Sequence, residues 1–159
     1  MAAQLWLLRH GEAVPHDAAS TDAGRALTPR GEGQARAAGR ALRALEIHFR
    51  AVYASPKVRA LDTARLACEA LGAEPIVHEP LRSGFSAVDA RELLLAGDGS
   101  SRVLVVGHEP DFSQVVRDLT GARIELKKGG VAGLREGELI ALLRPRELER
   151  IAAAPAAGV

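Results

Sequence analysis

Two runs of nearly unbroken apolar residues, Gln4-Leu5-Trp6-Leu7-Leu8 near the start and Val103-Leu104-Val105-Val106 in the second half, constrain the fold most. A strand with one wet face alternates apolar and polar residues, whereas a strand apolar at successive positions must be covered on both sides. Segments of helical spacing separate the strand-like runs. The sequence therefore predicts an α/β fold in three layers, α/β/α, with a mostly parallel central sheet and one antiparallel element.

The remaining elements follow from caps and spacing. Gln4 to Arg9 is the first strand, and the polar, small residues His16 to Ala26 form a loop returning over the strand ends. Thr28-Pro29 and the stripe Ala35, Ala38, Leu42 and Leu45 predict a helix over 29–46. Ala51 to Ala54 is a second strand, and Ser55-Pro56 repeats the cap-plus-proline signal for a helix ending near Gly72. Pro75 to His78 is a third strand, Ala87 to Leu95 is helical, and Arg102 to Gly107 is the long buried strand. Pro110 opens a helix with Phe112, Val115, Val116 and Leu119 on one side. Ile124 to Leu126 and Leu139 to Leu143 read as strands around an antiparallel excursion; Arg146 to Ala154 reads as the last helix, and Pro155 to Val159 as a frayed end. No repeat or Gly/Ser/Pro-rich linker divides the chain, so 159 residues, 47% of them hydrophobic, are expected to form a single domain over 1–159.

Charge narrows the partners. Lys and Arg number 21 against 20 Asp and Glu, a net charge of +1, which argues against nucleic acid or an anionic membrane as the main partner. Any positive potential must be local. The single cysteine, Cys68, excludes an internal disulfide and a multi-cysteine metal site, and its helical spacing with Leu61, Ala64 and Leu71 reads as a buried structural thiol. With no long apolar run and no leader pattern, the expected compartment is the cytoplasm.

The chemistry gathers at three strand ends: Arg9-His10-Gly11 after the first, Ser55-Pro56-Lys57-Val58-Arg59-Ala60 after the second, and Gly107-His108-Glu109-Pro110 after the long one. Open α/β sheets bind ligands at these carboxyl ends. Arginine suits phosphate oxygens, a neutral imidazole can attack phosphorus, and Gly11 lets the backbone turn sharply. Arg59 lies in the first turn of its helix, where its cation adds to the positive helix end and favours an anion. A salt bridge from Arg59 to a surface acid, or a backbone-bonded His108, is the plainer alternative. Glu12 and Glu109 flank histidines and would orient them or a water, cap a helix or pair at the rim, while Arg25 reads as a solvated loop charge, with contact to the phosphate or substrate as the alternative. His16, His48 and His78 read as surface residues; Lys127-Lys128-Gly129-Gly130 reads as a phosphate-binding turn or substrate rim, or more plainly as a basic strand end followed by a hairpin.

These motifs, with Leu27-Thr28-Pro29-Arg30-Gly31 and Thr63-Ala64 between them, make the chain resemble the histidine phosphatase superfamily, the phosphoglycerate-mutase-like group named for Arg-His-Gly. The motif wording and the compact interval from Arg59 to His108 look most like its short SixA-type phosphohistidine phosphatases. The resemblance implies a phosphoglycerate-mutase-like fold, His10 as the phosphoryl-accepting nucleophile, and Arg9, Arg59 and His108 as ligands of the phosphoryl oxygens. It implies no cofactor and no metal. Many relatives carry an acid after the third strand, where this chain has Glu79-Pro80-Leu81-Arg82-Ser83-Gly84; Ser83 aligns with that acid, and Glu79 reads as a solvated loop residue. An imidazole leaving group needs such an acid less than an alkoxide does. The expectation is hydrolysis of protein phosphohistidine, for instance on a phosphotransfer domain, through phospho-His10. The alternatives are a phosphomonoesterase for a small phosphorylated metabolite and a non-catalytic phosphate-binding domain.

Overall fold

The protein's structure, a computed structural model, describes residues 2–18 and 21–155; the expected frayed end after Pro155 and positions 19–20 of the expected loop lie outside them. Strands β1 (Gln4–Arg9), β2 (Ala51–Ala54), β3 (Pro75–Val77), β4 (Arg102–Gly107), β5 (Val131–Arg135) and β6 (Glu138–Leu143) form one sheet in the order β3-β2-β4-β1-β5-β6. β1, β2, β3 and β4 run parallel, while β5 pairs antiparallel with β1 and β6 with β5. The predicted three-layer, mostly parallel arrangement with an antiparallel edge is the one found.

Side-chain alternation along β1 and β4 makes the two cores. Trp6 and Leu8, with Leu104 and Val106, face α1 (Pro29–Ala44), α2 (Val58–Leu71) and α5 (Pro145–Ala153), which contribute Ala38, Leu42, Ala64 and Leu148. Leu5, Leu7, Val103 and Val105 face α3 (Ala87–Leu95) and α4 (Asp111–Thr120), where Leu93, Phe112, Val115 and Val116 fill the other core. Cys68 is buried in the first of these, and burial pushes its thiol up to about 11. Among the described residues, no helix is long and apolar enough to cross a membrane.

Several boundaries differ from expectation for physical reasons. Ile124 to Leu126 is not a strand: Leu126 is apolar because it fills the core, and its carbonyl accepts from Arg9 instead of a ladder partner. The antiparallel partner of β1 is β5, where Gly133 lies opposite Trp6 and a Cβ would stand 2.8 Å from the indole. Ser55 is not the N-cap of α2, which starts at Val58 behind Lys57; its hydroxyl accepts from Lys57 N at 3.2 Å and also meets His108 Nε2 at the candidate site. α1 ends at Ala44, leaving Leu45 exposed beyond the apolar stripe. The Thr28 cap is as expected, its hydroxyl accepting from Gly31 N at 3.1 Å.

Close helix contact gives two glycines of α1 opposite behaviour. A Cβ on Gly39 would stand 2.2 Å from the Ala67 carbonyl of α2, whereas one on Gly33 meets nothing within 4 Å. Gly33→Ala is expected to stabilise the protein by about 0.5–1 kcal/mol through helix propensity. Gly39→Ala is expected to destabilise it by about 1–3 kcal/mol, because backbone cannot move aside as a side chain can. Urea unfolding of both variants checks the pair; a gain from Gly39→Ala would refute the contact.

Candidate active site

The sheet register brings the three motif-bearing ends level. Arg9 pairs with Gly107, and Ala54 with Val106, so His10, Ser55 and His108 leave adjacent parallel strands together. His10, Arg59 and His108 are buried, and the two imidazole centroids lie 5.3 Å apart. The structure thus groups His10 with His108, placing Arg9 at the same edge and Arg59 in the first turn of α2.

The turn after β1 is held from several sides. His10 N donates to Gly107 O at 3.0 Å, Gly129 N donates to both Arg9 O and His10 O, and Gly11 N donates to Thr63 Oγ1 at 3.1 Å. Thr63 in turn donates to Arg59 O at 2.7 Å, tying the turn to α2. Gly11 is required for packing, not for a left-handed turn: a Cβ there would stand 2.5 Å from Gly31 O.

This clamp fixes the imidazole tautomer. His10 Nδ1 lies 2.7 Å from Gly11 O, and a carbonyl only accepts, so Nδ1 carries the proton. In the neutral ring, the lone pair is then on Nε2. Burial, and then the charges of Arg59, Arg9 and Lys128, push His10 down to about 4 against the opposing hydrogen bond to Gly11. His108 falls to about 3, through burial first and then His10, Arg59 and Lys57. Both rings are neutral near pH 7. His108 Nε2 lies 2.8 Å from Ser55 Oγ, and its buried Nδ1 has no hydrogen-bond partner among the described residues.

Three buried nitrogens are left unsatisfied among the described residues: Arg9 Nε, Arg59 Nε and His108 Nδ1. A buried donor without a partner costs about 1–3 kcal/mol. All three belong to the residues that the sequence placed around His10. Among the described residues, no group of three or more His, Cys, Asp and Glu is placed to hold a metal ion.

Asp22 was not singled out from the sequence, yet it is the carboxylate in contact with Arg59 of α2. Its Oδ2 lies 2.9 Å from Lys57 Nζ and 3.4 Å from Arg59 Nη2, and its carbonyl accepts from Arg59 Nη1 at 2.8 Å. The Lys57 hydrogen bond, with Arg59 and Arg25 adding, holds the Asp22 carboxyl well below the usual carboxylate range. Arg59 therefore has both the ligand-ready setting and the acidic partner that the sequence left as alternatives. Arg25 is no solvated charge; only 14% exposed, it donates to Val14 O at 2.8 Å and pairs with Asp22.

Other candidates fall outside the group. Ser83 is exposed, and Glu79 is exposed and paired with Arg82 at 3.2 Å. Glu109 accepts from the Ser113 amide at 2.8 Å and from its hydroxyl, while Glu12 pairs with Arg30 at the rim. His16 and His48 are exposed, but His78 is half-buried between Tyr53 and Phe85. Lys127 to Gly130 forms a turn whose glycine clamps the His10 backbone.

The sequence pattern of the histidine phosphatase superfamily (branch 1) matches residues 5–84. An uncharacterized protein of Picosynechococcus sp. is 33% identical over 141 residues, covering 84% of this chain and 86% of that protein. The protein histidine phosphatase SixA complexed with tungstate has a similar structure, with TM-score 0.79 and 24% identity over 91% of this chain and 99% of that one. A phosphoserine phosphatase from Entamoeba histolytica, in complex with 3-phosphoglyceric acid, matches with TM-score 0.68 and 16% identity over 92% and 99% of the two chains. The chain belongs to the histidine phosphatase superfamily and is an enzyme of the phosphatase class.

Proposed function

We propose that the enzyme hydrolyses phosphohistidine carried on a protein, with His10 Nε2 as nucleophile and Arg9, Arg59 and His108 holding the phosphoryl oxygens. The supporting observation is the neutral His10 ring, its proton committed to Gly11 O and its lone pair left on Nε2. Nε2 attacks phosphorus as the substrate's P–N bond breaks, and the departing imidazole takes its proton from solvent. The new phospho-imidazole is cationic, and the Nδ1–H to Gly11 O hydrogen bond offsets that charge. Water then attacks phosphorus, loses a proton and displaces neutral His10, releasing inorganic phosphate. The two guanidiniums neutralise charge on the oxygens in both steps, and no step calls for a metal or cofactor.

The preference for a nitrogen leaving group rests on the acids. Asp22, in contact with Arg59, is held anionic and has no proton to give an alkoxide, while Ser83 and Glu79 are solvent-facing. A phosphoramidate tolerates this because its nitrogen is basic enough to be protonated from water. A second reading, a phosphomonoesterase for a small metabolite, is favoured by the likeness to the phosphoserine phosphatase.

Steady-state comparison of a phosphohistidine-bearing protein with a panel of phosphate esters tests the assignment, kcat/KM being highest for the former; a strong ester preference would select the second reading. His10→Ala is expected to abolish turnover, and Arg59→Ala and His108→Ala to lower kcat by about 10²–10³. A near-normal rate in His10→Ala would overturn the mechanism.

The neutral histidines also fix a pH dependence. Their folded values, about 4 and about 3, lie below the ordinary 6.5, so the unfolded chain binds more protons as pH falls. Stability attributable to the two rings is present above about pH 6.5 and falls progressively as pH drops through about 4 for His10 and about 3 for His108. Imidazole NMR titration is expected to show His10 neutral at pH 6, with the proton on Nδ1; an unshifted titration contradicts the buried setting.

A further inference from the structure

A second concave surface adjoins the His10 turn. It is an open groove of about 580 Å³, to which Arg9 contributes alongside Arg30 from the start of α1, Lys127 and Lys128 from the turn before β5, and Arg144 and Arg146 at the start of α5. Against these six cations the lining includes two carboxylates, Glu12 and Glu149. In a chain of net charge +1 this is a marked local excess.

Some of the charge is already answered. Arg30 lies 3.9 Å from Glu12, Lys127 2.8 Å from Glu125, and Arg144 2.7 Å from Glu147, with Arg146 at 3.8 Å from the same carboxylate. Arg9 and Lys128 make no ion pair among the described residues. Lys128 precedes Gly129, whose amide donates to Arg9 O and His10 O, so the groove runs directly into the turn that holds the nucleophile.

We propose that this groove docks an acidic stretch of the protein that carries the phosphohistidine, its carboxylates lying over the cations beyond Arg9. The proposal rests on the phosphohistidine reading and adds the chemistry of the flanking surface. A compact second phosphate would call for a tight cluster of buried arginines. Here the cations beyond Arg9 are spread over α1, the turn before β5 and the start of α5 and open to solvent, with Arg30 78%, Arg146 75% and Arg144 54% exposed. That spacing suits several carboxylates along a protein surface. The contribution is mainly to encounter rate and partner choice, because exposed pairs act through steering and are screened over about 8 Å at physiological salt.

The test uses two synthetic phosphohistidine peptides, one flanked by Asp and Glu and one by Ser and Gly, with the full-length enzyme and its R30E/K127E/R146E variant. Each result is the ratio of kcat/KM on the two peptides within one preparation, so any loss of folded variant cancels. The wild type is expected to favour the acidic peptide by about tenfold at about 0.05 M salt, and the preference to collapse near 0.5 M salt and in the variant. Equal rates on the two peptides, or a preference that survives in the variant, would overturn the proposal. A compact bisphosphate such as fructose bisphosphate, turned over better than the acidic peptide and lost in the variant, would assign the groove to a small molecule and also overturn it. If neither phosphohistidine peptide is cleaved, phosphoserine peptides with the same flanks separate the two ideas. An acidic preference there keeps the groove and sinks the phosphohistidine reading; equal rates sink the groove as well.

Discussion

The hydrogen bond from His10 Nδ1 to the Gly11 carbonyl is the contact on which the proposed chemistry depends. It places the lone pair on Nε2, and it holds only while the turn after β1 keeps its shape. That explains why so many distant elements converge on a few atoms of backbone. Thr63 from α2, Gly129 from the turn before β5 and Gly107 from β4 all bond this turn, and Gly31 of α1 packs against it at a distance that admits no side chain. Each belongs to a different part of the sequence. The sheet order makes their meeting possible, since β1 is flanked by β4 on one side and β5 on the other.

Electrostatics in the site is a balance struck before any substrate arrives. Burial and neighbouring cations, Arg59 for both rings, push His10 and His108 towards the neutral form, which keeps lone pairs on the imidazoles but leaves a concentration of positive charge with unpaired buried nitrogens. Asp22 compensates part of it by holding Lys57 and Arg59 from the solvent side. A bound phosphoryl group would add negative charge and raise His108 towards its protonated form. The same carboxylate that steadies Arg59 is kept ionised by doing so, which links pocket assembly to the proposed preference for a leaving group that needs no strong acid.

Much of this was legible in the sequence because it is written locally. The double-faced apolar runs fixed β1 and β4, the Thr28-Pro29 cap fixed the start of α1, and basic or imidazole residues directly after three strands marked the pocket edge. What failed to show was set by long-range contact. Asp22 has no local signature, since its partner Arg59 is 37 residues away. Ser55 carried a capping signal but serves His108, and the apolar Ile124 to Leu126 segment mimicked a strand because core filling and sheet pairing select similar side chains. Gly11 was expected for its conformational freedom; the structure shows a close approach to Gly31, a reason visible only once the two chain segments meet.

The central claim is that a protonated Nδ1 held by Gly11 makes Nε2 of His10 the atom that accepts the phosphoryl group. Rapid quenching at alkaline pH with ring-labelled histidine, followed by phosphorus–nitrogen coupling measured by NMR, reads the phosphorylated nitrogen directly. The account predicts a single phosphohistidine, at position 10 and on Nε2. A phosphoryl group on Nδ1, or on a residue other than His10, would contradict it.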